Sequence, residues 1–220
     1  VDVTFNFPSA VAMNPSGDSV VAWVGESDYA DPNTLEFDCG SCVVFRRFDV
    51  AGAPKGIDVE VGDGLKPDVG MDTDGNFVIV YDRGGYPNSD VFARLYDKNG
   101  VPRGAEFRVN QFSTSYQGDP LVSVAENGRF VVTWAGVTIG CGSNCSGTGD
   151  RHIFTRLFNS DGSPIGDEVQ LPSFLDIDAA ERPTSIGMDR TGRFHVAFER
   201  FIQTYTASGM PQGEPLAYST

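Results

Sequence analysis

The residues whose spacing speaks most directly of chemistry are four cysteines in two short pairs. They are Cys39-Gly40-Ser41-Cys42 and Cys141-Gly142-Ser143-Asn144-Cys145. An even count at local spacing reads as two disulfides bracing long loops in an oxidising compartment. Four cysteines allow three pairings, so the connectivity stays open. A zinc site with four thiolate ligands would need both loops to meet with Zn–S distances of about 2.3 Å. A redox dithiol is disfavoured because the Cys-x-x-Cys does not open a helix. No His follows either pair, which argues against covalent haem.

Acidic and aromatic residues share the same kind of segment. Glu26, Asp28, Asp31, Glu36 and Asp38 crowd one stretch, and Asp176, Asp178 and Glu181 another. Oxygen-rich loops suit Ca²⁺, and Asp72-Thr73-Asp74-Gly75-Asn76 resembles the start of a calcium loop, which makes Asp72 and Asp74 its candidate ligands. The equivalent positions elsewhere are plain turns, so the first role of this segment is a turn. Apart from calcium, no cofactor is expected. Tyr29, Tyr86 and Tyr116 lie beside acids and amides, with Asp31, Asp90 and His152 nearby in sequence. Rings for sugar C–H groups and carboxylates for hydroxyls would make a glycan site, and the same surface could take a protein.

Catalytic constellations are thin. Gly17-Asp18-Ser19 opens like a serine-esterase motif, but Ser19 occupies a position held elsewhere by Phe77, Phe130 and Phe194. His195 stands where Val20, Val78 and Val131 stand, which is a packing position. No Gly-rich phosphate loop, His-Glu zinc motif or sialidase-type Asp-box is present. Paired loop carboxylates for glycosidic cleavage remain open, because acids are plentiful.

The chain has 220 residues, with 30 Asp+Glu against 16 Lys+Arg and a net charge of −14. Such a balance argues against nucleic acid, whose phosphates need a basic surface. No apolar run is long enough to span a membrane. The start at Val1, without Met, is read as the mark of a processed or excised segment.

The elements that must position these residues form a fourfold repeat. Gly-x-Pro-x-Gly recurs at Gly52–Gly56, Gly100–Gly104, Gly162–Gly166 and Gly209–Gly213. A Gly followed six residues later by an aromatic recurs as Gly17/Trp23, Gly75/Tyr81, Gly128/Trp134 and Gly192/Phe198. A Pro opens each unit, at Pro8, Pro67, Pro120 and Pro183. Each unit reads as four short strands, a to d. The second is apolar at nearly every position, as in Phe77-Val78-Ile79-Val80-Tyr81, so both its faces are expected to be buried. Sheets buried on both faces by their own copies make a propeller. The repeats run approximately over 8–66, 67–119, 120–182 and 183–220, in one propeller domain spanning 1–220.

These landmarks resemble the tandem β-propeller-like repeats of bacterial secreted and cell-surface proteins. The resemblance covers nearly the whole chain and implies an all-β propeller of four four-stranded blades, or half of a larger one, in an extracellular or cell-surface protein. The first choice is a compact ring. Residues 1–7 alternate apolar and polar, and so form an extra strand that closes the ring or pairs with a neighbouring subunit. The a–b and c–d turns are tight, whereas the b–c and d–a loops are long and gather on the opposite face, where binding usually sits. The leading functional expectation is a non-enzymatic binding or adhesion module recognising glycan or protein on that face. The alternatives are a structural subunit of an extracellular assembly or filament, using Val1–Phe7, and a loop-carboxylate hydrolase.

Overall fold

Among the described residues, apolar segments bounded by Gly and Asx turns form sixteen strands in four antiparallel sheets. The computed structural model describes residues 9–25, 41–85, 87–113, 115–137, 151–171, 183–198 and 201–217. Sheet 1 holds β1 (Ala10–Met13), β2 (Ser19–Gly25), β3 (Cys42–Phe48) and β4 (Val59–Asp63). Sheet 2 holds β5 (Leu65–Met71), β6 (Phe77–Arg83), β7 (Asp90–Tyr96) and β8 (Phe107–Arg108). Sheet 3 holds β9 (Gln117–Val124), β10 (Phe130–Val137), β11 (Arg151–Phe158) and β12 (Pro164–Gln170). Sheet 4 holds β13 (Pro183–Met188), β14 (Phe194–Phe198), β15 (Phe201–Tyr205) and β16 (Pro211–Ala217). Each sheet is a meander in chain order, with its first strand on the inside of the stack.

A recurrent aromatic pair fixes each blade. Phe77 lies opposite Tyr96, Phe130 opposite Phe158, and Phe194 opposite Tyr205. The rings stack with centroids at 5.0, 5.0 and 4.7 Å. Such cross-strand pairs hold register as well as area. Ser19 opposite Phe48 is the one exception, and its place in this pair leaves it a packing position. The turns obey one scheme. Asp49, Asp72, Asp97, Asp161 and Asp189 each accept backbone N–H groups two residues on, and most a second at four. Such Asx turns suit a tight reversal followed by Gly.

Apolar cores lie between successive blades. Val20, Ala22, Val43 and Phe45 of sheet 1 meet Val69, Phe77, Ile79 and Tyr81 of sheet 2. Sheets 2 and 3 close over Val78, Val80, Val122, Val132 and Trp134. Sheets 3 and 4 close over Val131, Ile153, Leu157, Phe194 and Val196. Polar ties reinforce the stack. Arg94 donates to the Val61 carbonyl of the preceding blade at 2.9 Å, and Arg156 to that of Val109 at 2.8 Å. In sheet 4 the equivalent Gln203 turns instead to its own sheet, at the Thr204, Gln212 and Gly213 carbonyls.

The architecture is an all-β, propeller-type stack. Among the described residues it is an open arc, not the compact ring expected first, because no comparable core joins sheet 4 to sheet 1. The strand expected at residues 1–7 lies outside the described residues.

Candidate functional site

Two irregularities in the inner strands build the site. In sheet 2 the register slips between Leu65↔Asp82 and Asp68↔Val80, so Lys66 and Pro67 bulge opposite Tyr81. In sheet 3 it slips between Gly118↔Ala135 and Leu121↔Thr133, so Asp119 and Pro120 bulge opposite Trp134. Lys66 and Asp119 are the only described residues other than glycine with positive φ, at 50° and 55°. A residue before proline is normally held extended. A left-handed side chain there costs on the order of 1–3 kcal/mol, and such strain gathers at functional sites. Bulges also re-aim side chains. Here they turn Lys66 and Asp119 toward each other across the junction of two blades.

The geometry is close. Lys66 Nζ lies 2.7 Å from Asp119 Oδ1 and 3.4 Å from Asp82 Oδ2. It donates to the Tyr116 hydroxyl at 3.1 Å, which in turn donates to Asp119 Oδ2 at 2.9 Å. The Asp119 N–H donates to Asp82 Oδ2 at 3.2 Å. Asp82 closes the apolar run of β6 and is buried, Asp119 is less so, and Lys66 reaches solvent. Asp68, two residues on, accepts the Val122 N–H at 2.7 Å and ties the two inner strands together.

Burial pushes the Asp82 carboxyl above its ordinary value, and the charge of Lys66 only partly opposes this. Burial pulls Lys66 down, but its hydrogen bond to Asp119 and the charge of Asp82 outweigh it and hold the ammonium above its usual range. The two partners therefore both rise, because Asp82 is nearly sealed from water and Lys66 is not. Burial likewise raises the Tyr116 hydroxyl and Asp68. A buried acid beside a second carboxylate held by an ammonium is an arrangement for proton transfer at neutral pH.

The chain passes over this cluster at Gly118. A Cβ there would lie 2.6 Å from the Tyr116 oxygen and 2.7 Å from Asp82 Oδ2. Gly118→Ala is expected to cost about 2 kcal/mol in stability by overpacking and to raise the exposure of the Tyr116 ring. Thermal unfolding with tyrosine fluorescence measures both; an unchanged midpoint would show that Gly118 is not under this constraint.

The expected ligand residues are only partly assembled. Tyr29, Asp31 and Tyr86 lie outside the described residues, as do Cys39, Cys141 and Cys145. Cys42 is fully buried and disulfide-bonded. Tyr116 sits in the cluster, but Lys66 covers its ring, with Nζ 5.6 Å from the centroid. It is thus no open platform for a sugar. Asp90 and His152 occupy equivalent places in adjacent blades, near the starts of β7 and β11. Asp90 accepts from Asn110 at 2.6 Å, and the His152 Nδ1 is buried without a partner. Asp72 and Asp74 lie at the far end, in an a–b turn. The Asp72 oxygens already accept from the Asp74 N–H and from Asn76. Among the described residues no group of three or more His, Cys, Asp or Glu side chains is placed to hold a metal ion.

No protein-family model matches the chain, and no curated protein matches it. Solved structures do. The GH93 α-L-arabinofuranosidase of Fusarium graminearum, in complex with arabinobiose, aligns with a TM-score of 0.56 at 13% identity, over 96% of this chain and 66% of that one. The Penicillium chrysogenum α-L-arabinanase complexed with arabinobiose gives 0.54 at 13%, over 95% and 63%. Kuenenia stuttgartiensis hydrazine synthase gives 0.54 at 13%, over 90% and 64%. The chain thus spans just under two thirds of the length of these structures. At this identity the likeness shows the fold alone, a β-propeller type.

The expectation of a non-enzymatic binding or adhesion module is corrected by these neighbours, several of which are glycoside hydrolases. The physical reason lies in the site. Its aromatic ring is covered, and its carboxylates are both engaged by Lys66.

Proposed function

We propose that the chain is part of an extracellular, propeller-type glycoside hydrolase, with Asp82 and Asp119 as its carboxyl pair. The observation that carries this reading is one ammonium shared by two carboxylates: Lys66 and Asp119 stand on matching bulges of adjacent inner strands, and Asp82 closes β6 beside them. Both oxygens touch Lys66 Nζ, at 3.4 and 2.7 Å. Their spacing therefore falls short of the roughly 6.5–9.5 Å that an inverting pair leaves for water, and nearer the roughly 5–5.5 Å of a retaining pair. Asp82, raised by burial, keeps its proton for the leaving glycosidic oxygen. Asp119, held by Lys66 and Tyr116, meets the developing positive charge at the sugar carbon. Lys66 and Tyr116 are positioning residues. The arabinobiose held by two of the neighbouring structures supports a glycan substrate, and the disulfide at Cys42 supports an extracellular location.

The test is turnover of aryl α-L-arabinofuranosides and arabino-oligosaccharides, beside a panel of other aryl glycosides. Asp82→Asn and Asp119→Asn are each expected to lower kcat by about 10²–10⁴-fold, the usual share of acid–base catalysis, with KM little changed. Because Asp82 must be protonated, kcat should fall as pH rises through its raised pKa, and Asp82→Asn should lose that limb. No turnover of any substrate by the folded wild type, or full activity in both Asn variants, would end this reading.

A further inference from the structure

The Asp119 bulge is held from both sides by carboxylates of sheet 2. Asp82 Oδ2 accepts the Asp119 N–H at 3.2 Å, and Asp68 Oδ2 accepts the Val122 N–H at 2.7 Å. Between these points stand Leu121 and Pro120, and the proline has no N–H to offer. A left-handed residue ahead of proline persists only where its surroundings over-determine it. At Asp119, with φ 55°, these two bonds fix the backbone on either side of the strain.

The Asp68 bond belongs to this junction in particular. The inner strand is the edge of each sheet, so alternate N–H groups along it lack a ladder partner. Asp68 takes two of them: Val122 of the next blade and, through Oδ1 at 2.9 Å, Val69 of its own. Val69 and Val122 are equivalent in register. The residues at the Asp68 position in the other sheets are Ala10, Leu121 and Ser185, each paired with the residue before the aromatic of the second strand. Ala10 and Leu121 have no side-chain acceptor, and Ser185 carries no charge. The one carboxylate at this position therefore stands at the junction whose two bulges carry Lys66 and Asp119.

The environment of Asp68 suits a clamp. Burial raises its carboxyl, and the Val122 and Val69 N–H groups oppose the rise. Both oxygens face backbone donors, so Asp68 acts on the site through the main chain.

We propose that Asp68 is a positioning residue for Asp119. Its bond to the Val122 N–H holds the bulge of β9 against that of β5, and so keeps the Asp119 carboxylate 2.7 Å from Lys66 Nζ. It touches no substrate and transfers no proton. Its consequence for turnover rests on the hydrolase reading; its effect on the Lys66–Asp119 contact does not.

Asp68→Ala and Asp68→Asn test this, by turnover and by an NMR readout that needs no substrate. Ala10 fills the position in sheet 1, so the alanine variant is expected to fold with an unchanged circular dichroism spectrum. It should lose the slowly exchanging Lys66 ammonium signal that the bond to Asp119 gives the wild type. Its kcat should fall by roughly 10–100-fold with KM little changed, as for a catalytic group displaced by up to about 1 Å. Asp68→Asn keeps one oxygen for the Val122 N–H and should retain the signal and most of kcat. In the wild type the Val122 amide should exchange far more slowly than an open edge-strand amide. An ammonium signal that survives in the alanine variant, full kcat after its loss, an asparagine variant as impaired as the alanine one, or an unprotected Val122 amide would each overturn the proposal. If the alanine variant does not fold, the asparagine variant and the amide decide. A wild type without turnover, in which the ammonium signal still depends on Asp68 as stated, would end the hydrolase reading and leave the clamp standing.

Discussion

Trp134→Ala is expected to lower the unfolding free energy by about 4 kcal/mol, the usual cost of emptying a buried indole site. Trp134 is fully buried in β10 and lies between two blades. Its ring stacks on Phe154 with centroids 5.9 Å apart. Its indole N–H donates to Gln117 Oε1 at 2.8 Å, so truncation also strands a buried acceptor. No room exists to relax: a Cβ on Gly136 would lie 2.3 Å from that same Gln117 oxygen. Trp134 also faces the Asp119–Pro120 bulge, so its loss should loosen the site as well as the core. Urea unfolding is the measurement. A midpoint shift worth less than about 1 kcal/mol, at unchanged slope, would contradict this account.

Lys66→Met removes the cation that touches both Asp82 and Asp119. Breaking a fully buried pair costs roughly 3–5 kcal/mol; Lys66 is partly in solvent, so about 2 kcal/mol is expected at pH 7. The pH dependence gives the sharper check. Folded Lys66 has a raised pKa, so its contribution is fully present below the ordinary lysine value and disappears only in strong alkali. At neutral pH its removal is therefore felt in full. Asp82 is already raised by burial, and without the ammonium it rises further. The folded variant then binds a proton that the unfolded chain does not, between the ordinary aspartate value and the raised one. Its deficit should shrink as pH falls through that window. Stability curves at pH 7 and near pH 4 decide the matter: a deficit equal at both would mean that the carboxylates do not depend on Lys66.

The blades were legible because they rest on local chemistry. Gly-x-Pro-x-Gly and the Asx turns fix reversals within a few residues, and the apolar second strand fixes burial on both faces. The exposed face of β1 was not legible, because Val11 keeps the apolar character of Val69, Val122 and Ile186, and only its 66% exposure distinguishes it. The site was half visible. Tyr116 was noticed as a loop aromatic, but Lys66 and Asp119 were passed over as residues before the landmark prolines Pro67 and Pro120. That position, together with the charge that ends the apolar run at Asp82, was the available signal. Nothing in a linear pattern says that two matching bulges will turn a lysine and an aspartate toward one another.

The turn aspartates bear on how the net charge should be read. Asp49, Asp72, Asp97, Asp161 and Asp189 are occupied with backbone N–H groups; the Val101 N–H holds Asp97 below the usual carboxylate range, and the Thr191 hydroxyl, helped by Arg193 and backbone N–H groups, does the same for Asp189. They sit at the opposite ends of the strands from Lys66 and Asp119. A strand of seven residues, such as β5, spans about 20 Å, more than twice the roughly 8 Å over which physiological salt damps a charge. The field of these turns has therefore largely died away before it reaches the site. The formal charge of −14 thus describes in part a distant, screened rim.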